Sequence, residues 1–442
     1  MKKTKLFISI LFALILLVGI GIGIYFYLNR DTNPNDNSTN QSQNPTTSVS
    51  TSSGYVRSPY GAQFSINDAQ DASFVVSYSH FDSPGVSTSL NSLNEVETKS
   101  DISGQGSQEV REANNISLVL DYFKNYFNNQ NIIFMGDTNI QLGNQAKAFA
   151  SLENTSYQML FADNATYNTS FSTTFESFAN PYDKFIYAID NNQFSIAQSD
   201  SSYYDDIKSV VRPNFANGFA IDSYLTLPSQ TMSNGASWID YNNSFYSGED
   251  ENQLITNYLR YAVSDHLPVG FNLVYKNLIN VDSSIRVGGW NALNFNLDTG
   301  DLAAFDFNQV AAKSTKSAND KRQLHAINLA KIIYNAKFDV IGLLEINKNQ
   351  NETNLNYFLN YLNSLANNNN EIQYDAILSG NTPAINPNSS QVEEVMLIYN
   401  TKKLSILNSP SPAFYQTNDS STSNMNVLFN NLKFIDFKYK EI

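Results

Sequence analysis

Eight polar residues sit where short apolar runs begin or end, and their types suit metal binding and proton transfer. His80 closes SFVVSYSH, Asp137 and Asn139 follow IIFMG, Asn291 follows IRVGGW, and Glu345 follows DVIGLL. Glu393 stands just ahead of VMLIY, and AVSDHLPV supplies Asp265 and His266. Carboxylate and carboxamide oxygens are the ligands that Mg2+ and Ca2+ take. The two histidines titrate near neutrality and can move protons. Singly, each residue also has a structural account. Asp137 in GDTN and Asn291 fit turns, Glu345 fits an exposed loop acid, and Asp183 in NPYDKFIY fits a strand edge. The third histidine, His325, lies inside a helical pattern with no acidic neighbour in sequence, and is expected to be structural.

These positions imply the elements that hold them. SFVVSYSH, NIIFMGD, IRVGGWN, FDVIGLLEIN and VEEVMLIYN are apolar runs bounded by polar residues, the pattern of buried strands. Glu393 precedes its run whereas the other groups follow theirs, so its strand must run the opposite way to face the same site. A mixed sheet would then bring the set to one rim. In SQEVREANNISLVLDYFKNYF, Val110, Ala113, Val119, Leu120 and Phe123 recur at helical spacing. Ala326, Leu329, Ala330 and Ile333 do so in KRQLHAINLAKIIYNAK. Strands alternating with amphipathic helices predict a layered α/β protein. No sequence repeat is evident, and the expected internal seam is KNLINVDSS, near residues 276–284.

Bulk composition narrows the chemistry. Among 442 residues there is no cysteine, which excludes disulfides, thiolate metal sites, cysteine nucleophiles and an acylated anchor. The formal net charge of −14 means that nucleic-acid chemistry would need local cations, whether bound metal or a few placed Arg and Lys. Lys2, Lys3 and Lys5 precede an apolar run from Leu6 to about Leu28, long enough to cross a bilayer and without a signal-peptidase exit. The expectation is a single-pass membrane anchor over residues 1–30, with the N-terminus in the cytoplasm and the rest outside the cell. Residues 31–54 are almost wholly small and polar, the composition of a tether, and 55–442 read as globular.

Together the motifs resemble the endonuclease/exonuclease/phosphatase superfamily, typified by pancreatic-type deoxyribonuclease, and look most like membrane nucleases of wall-less bacteria. The W-N strand end matches Asn291 of GGWNALNF. The metal-binding Glu of D-V-I-G-L-Q-E matches Glu345, with Leu344 in place of the usual Gln. The later Glu before a strand matches Glu393 of EEVMLIYN, with Glu394 as a register alternative. V-R-x-P matches Arg57 of YVRSPYGAQF, and the catalytic His matches His80. G-D-x-N matches Asp137 and Asn139, Y-D-[RK] matches Asp183, and S-D-H matches Asp265 and His266. The resemblance covers most of residues 55–442. The order departs from the family: there W-N and the Glu motif come first, whereas here residues 55–275 carry the family's C-terminal half and 285–442 its N-terminal half. That is the order of a circular permutation, with a swapped dimer or two incomplete domains as rivals.

The resemblance implies a DNase I-like two-layer β-sandwich flanked by helices, acting on DNA or RNA; a monomer is expected, with the swapped dimer as its rival. It implies Mg2+, or Mn2+ or Ca2+, held by Glu345 with Asn291 and Asp265 nearby. His80, oriented by Glu393, would protonate the leaving oxygen. His266, oriented by Asp183, or Asp137 would deprotonate water, and Asn139 and Arg57 would hold phosphate. The alternatives are another phosphodiesterase of this fold, such as a sphingomyelinase-type hydrolase, and a non-catalytic surface-binding protein.

Overall fold

In order along the chain, the strands of the first half are β1 (Tyr60–Ile66), β2 (Ala69–His80), β3 (Ile132–Asp137), β4 (Gln158–Met159), β5 (Asp183–Ala188) and β6 (Phe194–Ile196). The second half adds β7 (Val269–Tyr275), β8 (Ser284–Phe295), β9 (Val340–Asn347), β10 (Tyr374–Leu378), β11 (Glu393–Asn400), β12 (Leu404–Ile406) and β13 (Ser411–Pro412). The main helices are α1 (Ser107–Asn114), α2 (Ile116–Tyr126), α3 (Glu251–Ala262), α4 (Ala318–Asn335) and α5 (Glu352–Ser364). This computed structural model describes residues 55–86, 97–174, 177–197, 250–276, 284–306, 309–310, 313, 315–366, 370–380, 393–408 and 411–412. The expected anchor (1–30), the tether (31–54) and nearly all of the seam lie outside the described residues. Among the described residues no helix is long and apolar enough to cross a membrane.

The strands form two sheets with the same plan. One runs β12-β1-β2-β3-β5-β4, with β13 also on β1, and the other β6-β7-β8-β9-β11-β10. In each, the central pair is parallel (β2 with β3, β8 with β9) and its outer neighbours are antiparallel. Side chains alternate faces along a strand, and the core follows that rule. On β2, Phe74, Val76 and Tyr78 point between the sheets and meet Phe271, Val287 and Leu397 in one cluster. The intervening Val75 points the other way and packs with Val119, Leu120 and Phe123 of α2. On β9, Ile341 and Leu343 pack against Leu324, Ile327 and Phe358 of α4 and α5. The result is the layered α/β arrangement that the alternation predicts, with helices on the outer face of each sheet. Glycines let the sheets close: a Cβ at Gly342 would press into the Tyr78 ring, and one at Gly289 into Met135.

Two local expectations change. The helical pattern of 107–127 is broken into α1 and α2 at Asn115, where ψ is 2°. Asparagine side chains compete with the helix for backbone partners, and Asn114-Asn115 stand together there. A repeat is also present after all. Matching strands begin at the fourth residue of R-S-P-Y-G (57–61) and of H-L-P-V-G (266–270), and D-T-N (137–139), which starts at the last residue of β3, corresponds to E-I-N (345–347) of β9.

Candidate active site

The sheet plan brings the polar groups to one rim. Parallel β2 and β3 end in register, His80 beside Asp137. In the other sheet, Asn291 of β8 pairs with Leu344 of β9, next to Glu345. β5 and β11 run antiparallel to those strands, so their first residues lie at the same end: Asp183 opposite Asp137, and Glu393 opposite Asn347. Glu394, the register alternative, points to the other face, where it accepts from Gln350 N at 3.2 Å. His266 and Arg57 occupy equivalent places, three residues ahead of β7 and β1. His80, His266, Asp137, Asn139, Arg57, Asp265, Glu345 and Glu393 all line one cavity of about 440 Å³.

Two histidine–carboxylate pairs face a shared aspartate there. His266 Nδ1 is 2.7 Å from Asp183 Oδ2, and its Nε2 is 3.5 Å from Asp137 Oδ2. His80 Nδ1 is 3.0 Å from Glu393 Oε2, and its Nε2 is 3.6 Å from the same Asp137 oxygen. Each carboxylate fixes its imidazole with Nε2 toward the cavity. Burial opposes protonation of His266, but Asp183 and Asp137 override it and push its pKa up to about 10. His80 is also raised: burial and Arg57 oppose its charge, while Glu393 and Asp137 favour it. Burial acts to raise the pKa of Asp137, but the two histidines and Asn291 hold it below the usual range. Asn139 follows in a left-handed conformation (φ 53°), with its N–H on Asp137 Oδ1 at 3.2 Å and its amide 3.4 Å from His80 Nε2.

The donor set fits a divalent cation. One ligand atom each from His80, Asp137 and Glu345 lie within 4.8 Å of one another, and two of the three are hard oxygens. Asn291 takes a different part from the one expected. Its oxygen accepts from Leu293 N at 3.0 Å, so its amide N–H2 faces Asp137 Oδ2 (2.9 Å) and Glu345 Oε1 (2.8 Å). It spaces the two carboxylates. Leu293 and Asn294 are both left-handed and form an irregularity in β8, which turns Asn294 N–H onto Glu345 Oε2 at 3.0 Å. Asp265 lines the cavity but lies outside the three-donor group, with its Oδ2 3.6 Å from Arg260 Nη2. Arg57 is engaged with protein: Nε is 2.9 Å from Glu393 Oε1, and Nη1 donates to Phe81 O at 2.9 Å.

Comparison with known proteins is narrow. No family model matches the chain. Over 157 residues it is 39% identical to an uncharacterized protein of Mycoplasma pneumoniae (strain ATCC 29342 / M129 / Subtype 1). That stretch is 35% of this chain and 31% of the relative, so the chain spans about a third of the length of the protein it matches.

Sequence reading passed over three groups at this rim. Tyr182 stacks on His266 with ring centroids 6.2 Å apart; its place beside Asp183 was the available signal. Trp290 is fully buried and donates its indole N–H to His266 O at 2.8 Å, which ties the S-D-H loop to β8. Arg260, on α3, had no sequence signal. His325 packs edge-on against Phe295 at 5.4 Å, and burial takes its pKa down to about 4, as suits a neutral core histidine.

Proposed function

We propose that this chain is a metal-dependent nuclease that hydrolyses phosphodiester bonds, with a circularly permuted DNase I-like fold. The observation carrying this reading is the convergence of both histidine–carboxylate pairs on Asp137, beside the Glu345–Asn291 contact. The pairs unite residues far apart in sequence: His80 and Glu393 are 313 positions apart, and His266 and Asp183 are 83 apart. The matching plan of the two sheets also supports the permutation. His80 and Glu393 come from the two different halves, and His266 and Asp183 meet across the two sheets, as a rejoining of the halves in the other order would allow.

A divalent ion held at Glu345, beside Asp137, would polarise a phosphate oxygen and stabilise developing charge. The chain's own groups divide the remaining work. His266, held protonated by Asp183, is a poor base and a good donor to phosphate oxygens. Asp137 stays ionised between the two imidazoles, and is the group placed to take the proton of an attacking water. His80, oriented by Glu393, donates toward the leaving oxygen. The anchored, outward-facing placement rests on residues 6–28 and their lysine flank.

One assay tests the reading. Purified protein is incubated with plasmid, single-stranded DNA, RNA and sphingomyelin, with Mg2+, Mn2+ or Ca2+ and with chelator. DNA or RNA should be cut with metal and left intact with chelator. Cleavage of sphingomyelin alone would move the activity to lipid, and undiminished cleavage in chelator would remove the metal.

A further inference from the structure

We propose that Arg260 binds a phosphate flanking the one that is cut, which makes a polynucleotide a better substrate than an isolated phosphodiester. This rests on the nuclease reading above. Arg260 and Arg57 are the two arginines lining the cavity, which also carries Asp137, Asp265, Glu345 and Glu393. In a chain of net charge −14, a polyanion must find its attraction at particular cations. Arg57 is already spent on Glu393 and on backbone carbonyls. Arg260 is committed far less. Its Nη2 lies 3.6 Å from Asp265 Oδ2, a looser contact than the 2.9 Å Arg57–Glu393 pair.

Position gives Arg260 its role. The Arg260 side chain is 19% exposed and that of Asp265 beside it 27%, against 2% for Asp137, so this part of the lining meets solvent where Asp137 does not. Arg260 is also held in place: Nη1 donates to Phe171 O, and Phe171 N donates to Asp265 O at 2.7 Å. Phe171 in turn packs on Phe178 at 4.8 Å. A guanidinium anchored through Nη1 keeps the N–H groups of Nη2 in a fixed direction, which suits a phosphate oxygen. A substrate with one phosphodiester would leave that donor unused, whereas a chain would fill it.

The experiment uses the full-length protein, R260Q, which loses the charge, and R260K, which keeps it. Binding of a fluorescent DNA duplex is measured in chelator at increasing NaCl. R260Q should flatten the plot of log affinity against log salt by about 0.9, one phosphate contact, while R260K retains the wild-type slope. With metal, the ratio of kcat/KM on DNA to that on bis(p-nitrophenyl) phosphate should fall at least about ten-fold in R260Q, since a lost charged hydrogen bond is worth about that factor. For a readout independent of any variant, wild-type kcat/KM should rise by a similar factor from a dinucleotide with one phosphodiester to a trinucleotide with two. An unchanged salt slope in R260Q, equal losses on both substrates, or equal rates on the two oligonucleotides overturns the assignment. Wild-type protein that neither binds nor cuts nucleic acid overturns the nuclease reading itself, a result distinct from these.

Discussion

Replacing Asp183 with Asn should destabilise the protein in a way that fades as pH rises. Asp183 Oδ2 lies 2.7 Å from His266 Nδ1, and both residues are buried. His266 is raised from its ordinary 6.5 to about 10, which alone corresponds to roughly 5 kcal/mol favouring the folded state when the ring is protonated in both states. Burial leaves the Asp183 carboxyl raised as well, so the pair contributes less than that. The folded pKa of His266 lies above the unfolded one. The contribution is therefore complete below about pH 6.5, roughly halved near pH 8, and gone above about pH 10. Asp137 remains in D183N and supplies part of the attraction, so the loss near pH 6 should be about 3–5 kcal/mol, the usual cost of breaking a buried pair. Urea unfolding of both proteins in chelator at pH 6, 8 and 9.5 measures it. A stability difference that stays flat with pH, or grows as pH rises, would refute the account of His266 as an imidazolium held by Asp183.

Other consequences are simpler to measure. H80A should lower turnover at least about 100-fold, the lower range for a proton-transfer group, and H266A by about the same factor through loss of a charged donor to phosphate oxygens; near-normal turnover removes that histidine from the mechanism. G342A should cost about 1–3 kcal/mol in denaturant unfolding, because the added methyl presses into the Tyr78 ring where the sheets meet; an unchanged midpoint would mean that the ring moves aside freely. Intact cells should degrade added DNA and lose that activity to external protease, whereas activity found only in lysed cells contradicts the outward orientation.

The amino-acid sequence by itself determined which chemical groups are present and on which kind of element each sits. Apolar runs bounded by polar residues marked buried strands along 73–80, 132–137 and 340–347, and Glu393 ahead of its run required a reversed strand. β11 is antiparallel to β9. Such patterns are local, since a side chain's direction follows from its own backbone. Tertiary structure decided the partners. Nothing in the spacing says that Arg57 is held by Glu393, that the oxygen of Asn291 turns to Leu293 N, or that Arg260 of α3 reaches the same cavity beside Asp265. The correspondence of R-S-P-Y-G with H-L-P-V-G, 209 positions on, also gains meaning only when both segments lead into equivalent strands. Strand order and sheet stacking are set by contacts between distant residues. The period of two fixes which face a residue takes, while the neighbour it meets there depends on how the sheets pack.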